Sequence, residues 1–287
     1  MTLRPWLLAA RPKTLAAAVV PVLIGTSLVR EPIDWVAAAC ALFGAVFIQI
    51  GTNLVNDALD FEKGADTAGR VGPLRVTQAG ILSSRTVLRA AYVCFLLAAL
   101  CGIPLIMGAG WPLLVIGVAS IAAAYAYTGG PYPLAYHGLG ELFVLLFFGL
   151  VAVGGSYFVQ TRSIELPVVL AGLAAGSLST VLLAINNLRD REGDRLSNKR
   201  TLAVRFGERF AEGEILLFAL TPFIALFAIS ALREKPSLMT PLLAAPMAIL
   251  VIRCSTAHRE ADLNRCLGFA GLLAWAFGIL FVVGARV

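Results

Sequence analysis

The chain has 287 residues, is 59% hydrophobic and 14% charged, and has a mean hydropathy of +0.85. A soluble domain carries about 25% charged residues, so the composition excludes an ordinary soluble enzyme and indicates a polytopic membrane protein. The net charge of +6 sits in short basic loops between apolar runs; with no basic soluble domain to carry it, a nucleic-acid partner is excluded.

Residues 1–13 predict a short interfacial helix with Trp6 as a headgroup anchor. A spanning helix needs roughly 20 apolar residues. Nine segments approach that, at 14–30, 35–56, 86–105, 111–128, 139–160, 166–188, 211–232, 236–253 and 267–285. They are long and uniformly apolar, without the period-two alternation of barrel strands. The expected fold is all-α, one transmembrane domain over residues 1–287 with about nine helices. Pro21 and Gly25 predict a kink or close packing in the first span.

If the N-terminus is cytoplasmic, 18 of the 23 Lys and Arg residues fall on the cytoplasmic side and five on the other. The positive-inside rule expects such a bias, so the expected location is the cell (inner) membrane, with the N-terminus and the main polar loops facing the cytoplasm. The five cysteines, Cys40, Cys94, Cys101, Cys254 and Cys266, form no CxxC pair and read as packing residues.

The second span ends in polar chemistry. Gln49, Asn53 and Asn56 share one helix face, Asp60 continues it four residues on, and Asp57 sits one position round. Glu62 and Asp66 follow, making four acidic residues within ten positions where the whole chain has 17. The loop 63–84 is long and basic, with Arg70 and Arg75, and loops of that length are often binding elements. After the fourth span, the loop 125–141 is rich in aromatics, Gly and Pro but has no Lys or Arg. It predicts an interfacial aromatic belt or a functional surface, with Glu141 at or just inside the start of the next span. His137 has no paired partner and is a weak ligand candidate.

The sixth span repeats the pattern. Asn186, Asp190 and Asp194 lie at successive i+4 spacings on one face, followed by a loop with Lys199, Arg200 and Arg205. Asn56-x-x-x-Asp60 thus matches Asn186-x-x-x-Asp190 across 130 residues, which predicts a weak four-plus-four repeat with the ninth span extra. Spans seven to nine read as poor in polar chemistry.

Magnesium takes oxygen ligands and often bridges carboxylates to substrate phosphates. Two carboxylate clusters at converging helix ends, with Lys and Arg beside them, would hold Mg2+ and a diphosphate. No Cys or His cluster points to zinc, and no P-loop or Ser-His-Asp set is present. The residues therefore predict a magnesium-dependent enzyme acting on a lipid diphosphate at the cytoplasmic face. A cation-coupled transporter would instead place acidic groups at mid-membrane on broken spans.

Several strings carry a family resemblance. They are Arg11-Pro12-Lys13-Thr14-Leu15, the stretch 51–64 with Asn56-Asp57-x-x-Asp60, the stretch 70–75, Tyr127-Thr128-Gly129-Gly130-Pro131, Gly138-Leu139-Gly140-Glu141, and Asn187-x-x-Asp190-x-x-x-Asp194 through Arg205. Together they resemble the UbiA superfamily of intramembrane prenyltransferases, and within it the 1,4-dihydroxy-2-naphthoate polyprenyltransferases of menaquinone synthesis. The resemblance implies helices around a central cavity and Mg2+ as cofactor. It implies transfer of a chain from polyprenyl diphosphate to 1,4-dihydroxy-2-naphthoate, with loss of diphosphate and CO2. Other acceptors, such as homogentisate or a chlorophyll precursor, belong to the same superfamily. Membrane lipid is the implied surrounding, and no obligate protein partner is implied.

By this resemblance Asp60, Asp190 and Asp194 are catalytic and, with Asn56 and Asn187, hold the metals, supported by Asp57 and Asp66. Arg11, Lys13, Arg70, Lys199 and Arg205 are implied to hold the diphosphate, and Tyr127 and Glu141 the acceptor. The chain departs from the superfamily twice: Gly64 stands where the first motif often ends in Asp, and the Tyr127 loop lacks the Lys that often follows that Tyr.

Overall fold

The structure is a computed structural model describing residues 3–65, 72, 74–256 and 260–287. Asp66 and Arg70 lie outside the described residues. The helices are α1 (Arg4–Ala10), α2 (Ala16–Ser27), α3 (Trp35–Glu62), α4 (Ser84–Ala109), α5 (Trp111–Ala126) and α6 (Gly140–Thr161). They continue with α7 (Leu166–Arg189), the short α8 (Arg191–Leu196) and α9 (Leu202–Phe206), then α10 (Glu208–Arg233), α11 (Pro236–Ser255) and α12 (Glu260–Arg286).

Every one of the nine expected segments is helical. Among the described residues seven helices are long and apolar enough to cross a membrane, and an eighth span forms if α1 and α2 count as one bent unit. The remaining segment, α5, has 16 residues, about 24 Å at 1.5 Å per residue, against a hydrocarbon core of about 30 Å. Trp35 and Trp111 are each 73% exposed at the start of α3 and α5, as in an interfacial aromatic girdle.

The bundle is built around α7. Of its apolar window 72% is buried, against 11% for α3. The sequence explains the difference. α7 carries Ala171, Gly172, Ala174, Ala175, Gly176, Ser177, Ser179 and Thr180, all buried, and small residues let helix backbones meet where lipid supplies no hydrophobic drive. A Cβ on Gly176 would stand 2.7 Å from the Leu145 carbonyl oxygen, and one on Gly149 would stand 2.5 Å from that of Gly172. The π-helical stretch Leu145–Val151 of α6 lies at this crossing. The Ser179 and Thr180 hydroxyls donate to the carbonyls of Ala175 and Gly176, so burial leaves neither unsatisfied.

The sharp bend of the first span lies upstream of Pro21. α2 runs through Pro21, and the 51° break falls between residues 4–14 and 16–27. Arg11 takes a left-handed conformation there, with φ 50°. Gly25 does provide the expected close packing, since a Cβ would meet the Val153 carbonyl oxygen at 2.3 Å.

In the long loop after α3, Arg75, Val76 and Thr77 are buried. Val76 is fully buried against Leu54, Val55, Ala58 and Val87. Asp57 accepts from the backbone N–H of Val76 at 3.2 Å and of Thr77 at 2.9 Å. A buried carboxylate thus fixes the return of the chain to α4.

Between α2, α3, α4, α5 and α6 lies an apolar cavity. It runs from Thr52 and Tyr127 at one end past Gly44, Gly102 and Gly155 to Val159 at the other.

Candidate active site

Asp60 is 4% exposed in the last turn of α3. Its Oδ2 accepts from Arg75 Nη2 at 3.2 Å and its Oδ1 from the Tyr136 hydroxyl at 3.0 Å. Four residues earlier, Asn56 Oδ1 accepts from the Thr128 hydroxyl at 2.6 Å, which ties α3 to the end of α5. Lys63 donates to the Thr128 carbonyl.

The second cluster is reached through α7 and α8. The α8 turn returns the chain: Lys199 N–H donates to the Asp194 carbonyl at 2.8 Å, and Lys199 Nζ lies 3.6 Å from Asp194 Oδ1. Asp194 is buried, and among the described residues its Oδ2 has no hydrogen-bond partner. Burial pushes its carboxyl up to about 6, with the Asp190 and Asp60 charges adding to the effect and Lys199 opposing it. Burial acts to lower the Lys199 ammonium, but Asp60, Asp194 and Asp190 outweigh it, and its pKa ends above the ordinary lysine value. Tyr136, which donates to Asp60, has its ring centroid 5.7 Å from Lys199 Nζ, and Lys199 lies 3.6 Å from Asp194, so the ends of the two distant motifs lie close together.

Each carboxylate is met by a cation from this chain. Arg75 holds Asp60, Lys199 holds Asp194, and Arg189 grips Asp190 with two bonds of 2.7 and 2.8 Å. Arg189 also donates to Asn264 at 2.9 Å, which fastens this end of α7 to α12. Among the described residues no three acidic, His or Cys side chains form a ready-made metal cage. The donors present are hard oxygens, and the buried Asp194 Oδ2 lacks a partner among the described residues. An unsatisfied buried polar group costs about 1–3 kcal/mol, and that donor set fits Mg2+.

The acceptor-side residues form an adjoining group. Asn187 donates to Glu141 Oε1 at 2.7 Å, and Glu141 Oε2 is buried with no hydrogen-bond partner among the described residues. Tyr127 lines the apolar cavity, and its hydroxyl lies 3.1 Å from where a Gly140 Cβ would stand. Burial, then the charges of Glu141, Asp60 and Asp194, raise the Tyr127 pKa and keep the phenol protonated.

The expected site residues thus sort by position. Asp60 and the Asp194–Lys199 pair meet around Tyr136, Asp190 pairs with Arg189, and Arg11 also acts on the Asp60 charge. Asp57 turns both oxygens to the 76–77 backbone, and Asn187 gives its amide to Glu141. Arg205 is exposed and donates to the carbonyls of Arg200 and His137, joining two loops. Lys13 is exposed. Sequence reasoning missed the roles of Tyr136, Arg75 and Lys63, whose partners lie far along the chain with no spacing to announce them, and of Arg189, which pairs with the next residue and reaches Asn264 on α12. It also missed Glu214, buried on α10.

Residues 18–277 match the model of the UbiA prenyltransferase family. The chain belongs to the UbiA prenyltransferase family. It is 38% identical over 267 residues to a 1,4-dihydroxy-2-naphthoate octaprenyltransferase of Escherichia coli (strain K12), covering 90% of this chain and 86% of that one. Among solved structures of the family, a UbiA homolog from Aeropyrum pernix K1 superposes with a TM-score of 0.74 at 16% identity, over 95% and 98% of the two chains. A UbiA homolog from Archaeoglobus fulgidus bound to DMAPP and Mg2+ gives 0.67 at 13% identity, over 97% and 99%. These structures share the family fold with this chain.

Proposed function

We propose that the protein transfers a polyprenyl chain from polyprenyl diphosphate to 1,4-dihydroxy-2-naphthoate in a Mg2+-dependent reaction, releasing diphosphate and CO2 in menaquinone synthesis. One observation carries the reading: Asp60 and the Asp194–Lys199 pair meet around Tyr136, and an apolar cavity begins at Thr52 and Tyr127. Its likeness to the naphthoate octaprenyltransferase of E. coli supports the acceptor.

Asn56, Asp60, Asp190 and Asp194 supply oxygen ligands for the metal, with Asn187 beside them, and Asp57 and Asp66 in support. Mg2+ held by these oxygens would supply positive charge against the diphosphate as it departs. Lys199 and Arg11 hold the diphosphate oxygens, with Lys13, Arg70 and Arg205 supplying positive charge at the rim. As the allylic C–O bond breaks, the apolar cavity excludes water from the carbocation. Tyr127 keeps its proton and presents an aromatic surface, whose π face favours a cation. Glu141 Oε2, buried beside Asn187, accepts a hydrogen bond from an acceptor hydroxyl. The naphthoate ring attacks, forming the new C–C bond, and the carboxyl leaves as CO2. The site faces the cytoplasm across the inner membrane, in keeping with the bias of basic residues.

The test is purified protein with Mg2+, polyprenyl diphosphates of several lengths and a panel of aromatic acceptors. Prenylated, decarboxylated naphthoquinol, CO2 and inorganic diphosphate in equal amounts are expected. Folded protein that prenylates another acceptor, or none, would overturn the assignment.

A further inference from the structure

Tyr136 touches the first carboxylate motif and the basic loop that follows the second. It lies in a short turn, Leu134–His137, between α5 and α6. Its hydroxyl donates to Asp60 Oδ1 at 3.0 Å. Lys63 Nζ lies 4.6 Å from its ring centroid and Lys199 Nζ 5.7 Å. Its carbonyl accepts from the Arg200 N–H at 3.0 Å, and next to it Ala135 N–H donates to the Tyr127 carbonyl at 2.9 Å. The residue is therefore fastened to the second basic loop on one side and to the end of α5 on the other.

The physics of these contacts is cooperative. Two ammonium groups near one point repel each other, yet an aromatic face attracts a cation within about 6 Å. A phenol that donates to a carboxylate gains electron density in its ring, which strengthens that attraction. Tyr136 thus links a carboxylate of the first motif to the lysine of the second, and recruits Lys63 from the end of α3.

We propose that Tyr136 is the positioning residue that joins the two motifs: its hydroxyl fixes the Asp60 carboxylate for metal binding, and its ring holds Lys63 and Lys199 where they meet a diphosphate. This rests on the reading of the site as a metal–diphosphate centre. The two jobs separate by substitution. Tyr136→Phe keeps the ring and loses the hydroxyl. Tyr136→Leu loses both.

The experiment measures binding without turnover, on full-length protein in detergent with no acceptor present. Mn2+ binding is followed by electron paramagnetic resonance, and inorganic diphosphate binding by calorimetry at saturating Mn2+. Loss of one hydrogen bond predicts a Mn2+ Kd raised roughly threefold to tenfold in Tyr136→Phe, with diphosphate affinity close to wild type. Tyr136→Leu is expected to show the same Mn2+ defect and to weaken diphosphate by a further threefold or more, on the order of one cation–π contact. Wild-type Mn2+ binding in Tyr136→Phe would overturn the proposal. So would equal losses of both ligands in the two variants, since a purely structural role moves both together. Wild-type protein that binds neither probe would overturn the metal–diphosphate reading itself, and the role of Tyr136 with it.

Discussion

Asn53 donates from Nδ2 to the carbonyl of Ala10 at 2.9 Å, across the break between α1 and α2. The same amide reaches the Thr14 hydroxyl at 3.0 Å, and Gln49 donates to Asn53 Oδ1 at 3.3 Å. Thr14 in turn donates to the Arg11 carbonyl at 2.9 Å. This network braces Arg11 in its left-handed conformation, which an L-residue adopts at a cost.

Asn53→Leu should release that turn. Each lost buried hydrogen bond costs about 0.5–1.5 kcal/mol. The expected result is a lower Tm in detergent and a prenyl-diphosphate KM raised several-fold, because Arg11 no longer holds its place beside Asp60. An unchanged KM would separate Arg11 from substrate binding.

Asp60→Asn or Asp190→Asn should lower turnover roughly 100-fold or more while the protein still inserts into membranes. Asp60 also forms a buried pair with Arg75. Arg75→Met alone leaves that charge uncompensated and should destabilise the protein by about 3–5 kcal/mol. Adding Asp60→Asn should restore part of the loss in thermal unfolding. Equal instability of the single and double variants would contradict the pairing.

Metal affinity should depend on pH near the Asp194 value of about 6. The metal binds the carboxylate, so Mn2+ affinity should fall as pH drops through 6 and level off above it. The metal-free protein should show the opposite trend. Its Asp194 pKa is raised above the ordinary 3.8, so the folded state binds the extra proton and stability declines as pH rises between those values. A pH-independent Mn2+ affinity from 5 to 8 would remove Asp194 from the metal site.

Two groups of glycines should respond differently to substitution. Gly149 and Gly176 sit against facing backbone, so Gly176→Leu should disrupt the α6–α7 crossing and abolish folding. Gly155 lines the apolar cavity, and a Cβ there meets nothing within 4 Å. Gly155→Leu should fold normally and lower kcat/KM for long polyprenyl diphosphates relative to geranyl diphosphate. An unchanged length preference would place the prenyl tail elsewhere.

The all-α membrane architecture was legible in the sequence because lipid enforces it: backbone groups in hydrocarbon must bond within their own helix, so apolar runs and helices coincide. The motif carboxylates were legible for a related reason, since acidic groups in so apolar a chain are few and costly. What the sequence could not show is which partner each one meets. Asp57 and Asp60 are three residues apart, yet one caps a loop and the other faces Arg75 and Tyr136. Asn187 reads as a metal ligand by motif, and nothing in its spacing shows that its amide nitrogen also donates to Glu141. Tyr136 carries no spacing signal, because its contacts span 63, 76 and 64 residues in opposite directions along the chain. Helical periodicity places side chains on a face; which faces meet is settled by the close backbone crossings of α7 and by where the polar loops fold back, and those are long-range events that only the tertiary structure decides.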